Sequence, residues 1–336
     1  MKIAALIPAR NAGWCIQSSL VALLAAGFDR ADVIVVDDGS TDDTAALASA
    51  YKVKVITLPR SGGAAKARNI AAAQTNADIL FFVDADVVVA PDVLARLFKR
   101  FILQPEIDAV FGSYDNAPAH PHRVSKYRNL LHHFVHKSGP QFPKTFWTGC
   151  GAVRAAAFER IGGFDPAMRM MEDVDFGMRL SRAGGTIALD RELQGKHLKP
   201  WSFLSMIRSD LFDRAIPWSR LMLFGDGLSD DLNLGYRHRL SAMLVVAIVA
   251  GLAGALIHPA TLIVAALAIV AFVTINAEFV WLIRKNAGRR AAFASIWLHM
   301  VHYSCAMAGL AWVAIFEYLP SLIVPRKLTA DTTDVE

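Results

Sequence analysis

Cysteine is scarce in this chain of 336 residues, which has only Cys15, Cys150 and Cys305. The three lie far apart and are odd in number, so the sequence predicts neither a disulfide framework nor a zinc site. Internal repeats and low-complexity linkers are also lacking. The net charge of +5 is modest, and the basic residues stand beside apolar segments. These scarcities predict a reducing compartment, and a membrane surface rather than nucleic acid as the partner.

The N-terminal segment lacks the features of a secretion signal. Lys2 opens a short apolar run, but Pro8 and Arg10 end it too early. Apolar residues are what the chain has in excess, because 54% of it is hydrophobic and its mean hydropathy is +0.36. The excess is concentrated from Leu240 onward. The sequence therefore predicts a soluble first part and a lipid-embedded second part.

Three apolar runs follow Arg239. Leu240–Ile257 and Ala260–Ile283 each reach the roughly 20 residues that a helix needs to cross a bilayer. Basic residues flank the two outer ends, which places both ends in the cytoplasm and predicts a helical hairpin. The third run, Ala291–Phe316, contains two histidines. We expect it to be a third span, with a re-entrant or interfacial helix as the alternative.

These runs divide the chain into four predicted parts. Residues 1–200 form a cytosolic α/β domain, 201–239 an interfacial amphipathic region, 240–319 a membrane domain of about three helices, and 320–336 a tail. Within the second part, Trp201–Ala215 carries apolar residues at helical spacing, which is typical of a helix lying on a membrane surface. The predicted location is therefore the inner (cytoplasmic) membrane, multi-pass, with the α/β domain on the cytoplasmic side.

The first part alternates between short apolar runs and helical patterns. The apolar runs predict strands at Lys2–Pro8, Val33–Val36, Val53–Leu58 and Ile79–Val83. Alternation with short connections predicts an α/β fold, a Rossmann-like and mostly parallel sheet with helices on both faces. Ligands of such sheets bind beyond the carboxyl ends of the strands, so polar residues there are candidate site residues.

Carboxylates follow two of the predicted strands. Asp84 and Asp86, separated by Ala85, come directly after an apolar run and supply hard oxygen ligands for Mg²⁺ or Mn²⁺ beside nucleotide phosphates. Asp38 follows the second strand, where a carboxylate can accept hydrogen bonds from a base or a ribose. Both clusters also fit a plainer interpretation as acidic turns, the one at Asp38 leading into a helix cap.

Two further segments suit a nucleotide diphosphate. Gly63 precedes an alanine-rich helix whose first turns carry Lys66 and Arg68, so free N–H groups and positive charge meet there. A glycine-started helix without a ligand explains this pattern equally well. The turn after the first strand consists of Pro8, Ala9, Arg10 and Asn11. Taken alone, that turn is an ordinary strand-to-helix connection.

Glu172 and Asp173 open a helix in an apolar neighbourhood. Such surroundings raise the pKa of a carboxyl group toward the range of a general base. The alternative is the usual acidic preference of a helix N-terminus. His197 either completes a metal site or contacts a diphosphate, with a purely structural histidine as the alternative. The three histidines within residues 132–136 share a helical face and are expected near lipid head groups.

The ordered set of these motifs resembles the family 2 glycosyltransferases, which have a GT-A fold. The matching segments, over roughly residues 1–200, are Pro8–Asn11, Asp37–Ser40, Gly63–Asn69, Asp84–Asp86, Gly162–Asp165 and Glu172–Asp173. The resemblance implies that Asp38 recognises the nucleoside and that Asp84 and Asp86 bind metal and diphosphate. It implies Asp173 as the catalytic base, beside Glu172. The remaining implied donor contacts are Pro8, Ala9, Arg10, Asn11, Gly63, Lys66, Arg68 and Ala85.

The implied reaction is an inverting single displacement that depends on Mg²⁺ or Mn²⁺. The donor is a nucleotide-sugar, with a leaning to UDP, and the acceptor is a hydroxyl of a lipid or cell-envelope glycan. Lack of the Gln-x-x-Arg-Trp element of processive members predicts a non-processive enzyme. A polyprenyl-phosphate glycosyltransferase and a non-catalytic membrane subunit that binds sugar nucleotides are the alternatives. A nucleotidyltransferase is disfavoured, because no glycine-rich loop follows the first strand.

Overall fold

The computed structural model describes residues 1–225 and 235–323, and within them one mixed sheet forms the centre of the N-terminal part. Its strands are β1 Ile3–Ala9, β2 Val33–Asp37, β3 Lys54–Thr57, β4 Ile79–Val83, β5 Val87–Val89, β6 Ala109–Tyr114, β7 Cys150–Arg154 and β8 Ile187–His197. Their order across the sheet is β3-β2-β1-β4-β7-β6-β8-β5. The predicted α/β class is confirmed.

The first four strands run parallel. β1 pairs with β2 on one side and with β4 on the other, and β3 pairs with β2. β2 and β4 are buried along their whole length, because their Val, Ile, Leu and Phe side chains lie between two layers of helices. The carboxyl ends of these strands therefore lie together at one edge of the sheet.

β7 runs antiparallel between β4 and β6. Its first residue, Cys150, pairs with Val83, the last residue of β4, so the residues before β7 reach the edge where β4 ends. β8 is parallel to β6, and β5 pairs antiparallel with β8 so that Val87 lies opposite His197. The ends of β1, β2, β4, β6 and β8 thus converge with the start of β7 at the predicted site.

Helices cover both faces of the sheet. They are α1 Ile16–Ala25, α2 Thr44–Ser49, α3 Ala64–Ala72, α4 Val93–Leu103, α5 Arg123–Ser138, α6 Ala155–Ile161 and α7 Glu172–Arg182, with a short 3-10 helix at Arg30–Asp32. One core contains Leu20 of α1 and Phe101 of α4, and the other contains Ala71 of α3 and Phe176 of α7. Alternate residues of β1 enter the two cores, as the period of two in a strand requires.

The rest of the described chain is helical. Its elements are α8 Phe203–Arg208, a π-helix Ser209–Ala215, α9 Ile216–Phe224, α10 Tyr236–Gly254, α11 Thr261–Ile275, α12 Ala277–Ala287, α13 Arg289–Val313, a π-helical turn Ala314–Tyr318 and α14 Leu319–Ile323. By length and composition, α10 and the helix Arg289–Leu322 are sufficient to cross a membrane. α11 and α12 pass that test only together and are bent by 62°. The described residues therefore contain two helices that could cross a membrane, or three if α11 and α12 together form one span.

Two stretches of the predicted division lie outside the described residues. They are 226–234, in the predicted interfacial region, and 324–336, which is most of the predicted tail. The helix expected at Trp201–Ala215 begins at Phe203 and continues as the π-helix from Ser209. The four-part division itself stays a prediction.

α5 connects the sheet to the C-terminal helices. On one side Tyr127 and Leu130 pack with Phe279 and Leu298, and the Tyr127 hydroxyl lies 2.9 Å from His299 Nδ1. This contact fixes the α/β domain to α12 and α13.

On its other side α5 packs on the sheet. His133 Nδ1 lies 2.7 Å from the Tyr114 carbonyl, and His136 Nδ1 lies 2.8 Å from the Gly112 carbonyl. Both rings are buried, so their expected place near lipid head groups is wrong. Hydrogen bonding to the end of β6 is the reason, because a buried imidazole needs a polar partner.

Candidate active site

A cleft of ≈ 690 Å³ opens at the edge where the strand ends converge. Of the predicted site residues, the cleft is lined by Pro8, Ala9, Arg10, Asn11, Asp38, Gly63, Arg68, Asp84, Ala85 and Asp86. Lys66 is exposed on α3 and does not line the cleft. Glu172 and His197 are not lining residues either, but each contacts one, Arg68 and Asp86 respectively. Asp173 follows Glu172 and is also outside the lining. The structure therefore brings most of the predicted residues together, while their individual roles stay predictions.

Asp38 holds the loop that leads into α3. Its carboxylate accepts hydrogen bonds from the Ser61 hydroxyl at 2.7 Å, from Gly62 N–H at 2.7 Å and from Gly63 N–H at 3.0 Å. Gly39 makes this approach possible, since its φ is +66° and a β-carbon there would lie 2.8 Å from backbone atoms of residues 60 and 61. Both Asp38 oxygens are thus already engaged, and Gly63 N–H points at Asp38.

Asn11 ties the ends of β1 and β2 together. Its side-chain oxygen accepts from Thr41 N–H at 2.9 Å, and its own N–H donates to the Ser40 hydroxyl at 2.9 Å. Asn11 has a φ of +48°, in the left-handed region that asparagine tolerates better than most residues. The predicted turn at Pro8–Asn11 is therefore a fixed wall of the cleft.

Arg68 is the link between the two predicted acidic motifs. It donates to Asp84 Oδ1 at 2.8 Å and to Glu172 Oε1 at 2.5 Å, and it is 4% exposed. Burial alone would lower the pKa of Arg68, but the surrounding carboxylates outweigh this and raise it. Burial raises the pKa of Asp84 in spite of the guanidinium. Arg68 is thus committed to positioning carboxylates, a function that its place in α3 did not predict.

Asp86 is the carboxylate of the pair that no guanidinium contacts within the described structure. His197 Nε2 lies 3.4 Å from its Oδ2. His197 Nδ1 lies 3.0 Å from Asn129 Oδ1, and the ring stacks on Tyr114 at 4.4 Å. Burial would raise the pKa of Asp86, but the contact with His197 and the charge of Lys199 lower it. Asp86 is therefore held as an anion with His197 aimed at it.

A divalent cation fits this arrangement, although no three His, Cys, Asp or Glu side chains of residues 1–225 and 235–323 surround one metal position. Mg²⁺ and related ions in nucleotide sites take one or two protein carboxylates, and substrate phosphates and water complete the shell. Asp86 meets that requirement at the cleft wall. Asp84 or His197 would be the second protein ligand.

Asp173 stands at the start of α7, next to Glu172. Its Oδ2 accepts from Thr148 N–H at 3.3 Å and from the Thr148 hydroxyl at 3.4 Å. Burial, and next the negative charge of Glu172, raise the pKa of Asp173 to about 7. Met171, the preceding residue, has a φ of +66°, a strained value for a long side chain that fixes how α7 enters the site.

Several residues around the cleft were not predicted from the sequence. Trp14, Ser61 and Arg169 line it, and Trp14 is 57% exposed there. Arg169 lies in the turn before Glu172, far in sequence from the other lining residues. The sequence signal that could have identified Trp14 is its position, because a large aromatic residue stands three residues after Asn11 of the predicted turn. The exposed aromatic face and the cation both suit a nucleotide.

The chain is similar in sequence to enzymes that transfer sugars. Residues 4–162 match the family described as Glycosyl transferase family 2. The glycosyltransferase GlyG of Streptococcus pneumoniae is 27% identical over 34% of this chain, but the match spans only 39% of GlyG. The O-antigen chain rhamnosyltransferase RfbN of Salmonella typhimurium is 26% identical over 68% of this chain and 77% of its own length.

A solved structure supports the same fold. The mannosyltransferase PcManGT of Pyrobaculum calidifontis, determined in complex with GDP-Man and Mn²⁺, superposes with a TM-score of 0.59. The alignment covers 93% of this chain and 87% of that one at 18% identity. The expected GT-A-like α/β fold with following apolar helices is confirmed.

Proposed function

We propose that this chain, whose residues 4–162 match the family 2 glycosyltransferases, moves a sugar from a nucleotide-sugar to a hydroxyl of a lipid or cell-envelope glycan. The observation that carries this proposal is the connection between the two acidic motifs. Asp84 and Asp86 line the cleft, Arg68 joins Asp84 to Glu172, and Asp173 follows with a pKa raised to about 7.

Asp173 is proposed as the general base. A carboxylate with a pKa near neutrality accepts a proton efficiently and is still ionised in about half of the molecules at pH 7. It takes the proton of the acceptor hydroxyl while the hydroxyl oxygen attacks C1 of the sugar and the bond from C1 to the diphosphate breaks. One displacement inverts the anomeric centre, and no enzyme nucleophile takes part.

The donor is proposed to lie in the cleft between Trp14 and the loop 61–63. Asp38 maintains that loop, and Arg10 and Arg169 supply positive charge at the cleft wall. Asp86, with Asp84 or His197, would hold Mg²⁺ or Mn²⁺, which offsets the negative charge of the leaving diphosphate when bound. PcManGT was determined with GDP-Man and Mn²⁺, which supports a metal here and makes GDP-mannose a donor to test beside UDP-sugars.

The membrane is proposed as the place of reaction. Two apolar helices of spanning length, and a third if α11 and α12 act as one, support residues 240–319 as the membrane domain and 1–200 as the transferase domain. The basic flanks of these helices favour the cytoplasmic face of a multi-pass inner-membrane protein. Residues 201–239 would lie at the interface.

A transfer assay on membranes from cells that express the full chain tests this proposal. Radiolabelled UDP-sugars and GDP-mannose are supplied with Mg²⁺ or Mn²⁺, and label in the lipid and glycan fractions is measured. Wild type should transfer at least one sugar, and Asp173→Asn should not. Asp43→Asn, which changes an exposed carboxylate immediately before α2, is the matched control and should keep wild-type transfer.

Two results separate the alternatives. Transfer that survives Asp173→Asn but is lost in Asp86→Ala would indicate an acceptor that is already ionised, such as a polyprenyl phosphate. Binding of the sugar nucleotide without transfer or hydrolysis, for every donor supplied, would indicate a non-catalytic subunit.

A further inference from the structure

His197 ends β8 beside the acidic residues of the cleft, and its place there is fixed by several contacts. It lies opposite Val87 in the pairing of β8 with β5, and the N–H of the next residue, Leu198, donates to the Asp86 carbonyl at 2.9 Å. Its ring stacks on Tyr114, with 8° between the planes and 4.4 Å between the centroids. These contacts fix the position of the imidazole and leave open which of its nitrogens carries the hydrogen.

Asn129, in the middle of α5, decides that question. Its side-chain NH₂ group donates to the His197 carbonyl at 3.3 Å, so the amide nitrogen lies at that carbonyl and the amide oxygen faces the ring. The oxygen, Oδ1, lies 3.0 Å from Nδ1 of His197. An amide oxygen can only accept a hydrogen bond, so Nδ1 carries the ring hydrogen and donates it. Asn129 is 3% exposed, which shields this pair from solvent.

The other ring nitrogen of His197 then presents a lone pair to a carboxylate. A neutral imidazole has one N–H, so with the hydrogen on Nδ1 the Nε2 atom is an acceptor. It lies 3.4 Å from Oδ2 of Asp86, which is an acceptor as well. Two acceptors this close repel each other unless a cation lies between them. Two ligands that are each about 2.1 Å from one Mg²⁺, at adjacent corners of an octahedron, lie about 3 Å apart, which is near this separation.

We propose that Asn129 is a positioning residue for a divalent cation, because it holds His197 in the tautomer whose Nε2 binds the ion together with Asp86. A histidine that ligates a metal commonly donates its other N–H to a neighbouring oxygen, which fixes its tautomer and orientation. The inference rests on the proposed function, and it selects His197 as the ligand beside Asp86. Asp84 is less suited, because its Oδ1 already accepts from Arg68 at 2.8 Å.

The opposite tautomer of His197 would disable the cation site. With the hydrogen on Nε2, the ring would donate to Asp86, which occupies an oxygen that the cation needs and removes the lone pair. Asn129 opposes this tautomer, because its oxygen would then face the lone pair of Nδ1 at 3.0 Å. A buried pair that only stabilises the fold is the competing explanation. The two explanations differ in what the loss of the amide does to metal binding and to the tautomer.

Mn²⁺ binding to the full chain purified in detergent tests the proposal without any transfer reaction. Electron paramagnetic resonance counts the free ion while Mn²⁺ is titrated with excess UDP and, in parallel, with excess GDP. Asn129→Leu, which removes the acceptor and keeps a similar volume, should weaken Mn²⁺ binding by about tenfold to 100-fold. Asn129→Asp retains an oxygen at Nδ1 and should keep the affinity within about threefold of wild type.

Ser125→Ala is the matched control for this titration. Ser125 lies one turn before Asn129 on α5, is buried, and accepts from Trp201 N–H at 2.8 Å, so its loss removes a comparable hydrogen bond away from His197. It should keep the wild-type affinity for Mn²⁺. Equal weakening by Asn129→Leu and Ser125→Ala would overturn the proposal. Unchanged affinity in Asn129→Leu, or a wild-type chain that binds no Mn²⁺ with either nucleotide, would overturn it too.

A second measurement reads the tautomer directly and needs no metal. The ¹³Cδ2 chemical shift of a histidine ring differs between its two tautomers, and the His197 signal is identified by its loss in His197→Gln. In metal-free protein at alkaline pH, wild type should show the Nδ1–H form, and Asn129→Leu should move toward the Nε2–H form. The same form in both proteins would overturn the proposal, whatever the stability of the variant.

These outcomes separate the inference from the proposed function. Mn²⁺ binding that depends on Asn129, in a wild-type chain that transfers no sugar, would refute the proposed function and leave the role of Asn129 standing. Sugar transfer by wild type, with an Asn129→Leu variant that binds Mn²⁺ as tightly, would refute the inference alone.

Discussion

The donor cleft and the region between Asp173 and the C-terminal helices are built in different ways. In the cleft, short hydrogen bonds between neighbouring loops fix the walls, as those from Gly62 and Gly63 to Asp38 show. Beyond Asp173, charged and aromatic side chains from distant elements meet, and the buried His132 Nδ1 has no hydrogen-bond partner within the described residues. The loops of the cleft are thus fixed before a ligand arrives, although Arg68 Nε there also has no partner within the described residues.

The difference indicates which substrate each region has to recognise. A nucleotide diphosphate is the same small rigid group in every turnover, so a preformed site binds it with little ordering cost. The proposed acceptor, a lipid or cell-envelope glycan, would reach the site from a membrane and differs in size and shape from the donor. Catalysis then depends on the boundary between the regions, where Arg68, Glu172 and Asp173 lie.

The largest effect is expected at this boundary. Asp173→Asn removes the proton acceptor and should lower the rate of sugar transfer by about 10²- to 10⁴-fold. Binding of UDP should change little, since the cleft does not include Asp173. Transfer rates and UDP titration of the full chain measure both. Equal losses of binding and transfer would show that the two regions are not separable.

The two buried arginines allow a direct comparison of stability. Arg68→Gln leaves the buried Glu172 and the half-buried Asp84 without their cation and should lower the free energy of unfolding by about 3 kcal/mol. Arg128→Gln should cost less, because His302 still contacts Asp210. Thermal melting of both variants in detergent checks the order. A smaller loss for Arg68→Gln would contradict the view that the cleft is the more rigid region.

Asp38 tests whether the cleft is preformed by its loops. Asp38→Asn replaces one acceptor oxygen by an NH₂ group that faces a backbone N–H, which loosens residues 61–63. The KM for the donor should rise by about tenfold, with the KM for the acceptor unchanged. Initial rates at varied donor and acceptor concentrations measure both, with Asp43→Asn as the control. A rise confined to the acceptor KM would refute this assignment.

The pH dependence follows from the raised pKa of Asp173. The folded-state pKa of about 7 lies above the usual value, so the active ionised form is lost as the pH falls through 7. Transfer should therefore drop by roughly tenfold at pH 6 relative to its plateau above pH 8. The profile of kcat/KM from pH 5.5 to 8.5 measures it. A flat profile over this range would argue for an acceptor that needs no base.

The smallest effect is expected on the surface of α8. Leu204→Ser removes an exposed apolar side chain and should raise the KM for a lipid acceptor by about twofold to fivefold, with donor hydrolysis unchanged. Ile102→Ser, on the exposed side of α4, is the control and should have no effect. Equal changes in acceptor use and donor hydrolysis would place Leu204 outside acceptor binding.

The strands and the cleft were predicted well from the sequence, because a strand and the turn after it are determined by residues that are neighbours in the chain. The apolar run before Asp84 is β4, and the turn after it enters the cleft. Arg68 was predicted to contact a diphosphate, yet it pairs with Glu172, which lies 104 residues away at the start of α7. No periodicity encodes such a pair.

The contact of His197 with Asp86 has the same origin. It requires β5 to pair with β8 at one particular register, which places Val87 opposite His197. The sequence offered the histidine and the carboxylate as separate candidates, and the antiparallel pairing brought them within 3.4 Å. Trp14 and Arg169 were missed because single residues in loops carry no pattern.

Gly309 gives the last contrast between the regions. At Gly309 the helix α13 contacts Ala215 so closely that a β-carbon would not fit. The position of the neighbouring Arg214 relative to the α/β domain therefore depends on α13. A truncated protein that stops before α8 would retain every wall of the donor cleft and lose this spacer. We expect such a fragment to bind nucleotide-sugars and to transfer the sugar to water, because the acceptor would no longer be positioned.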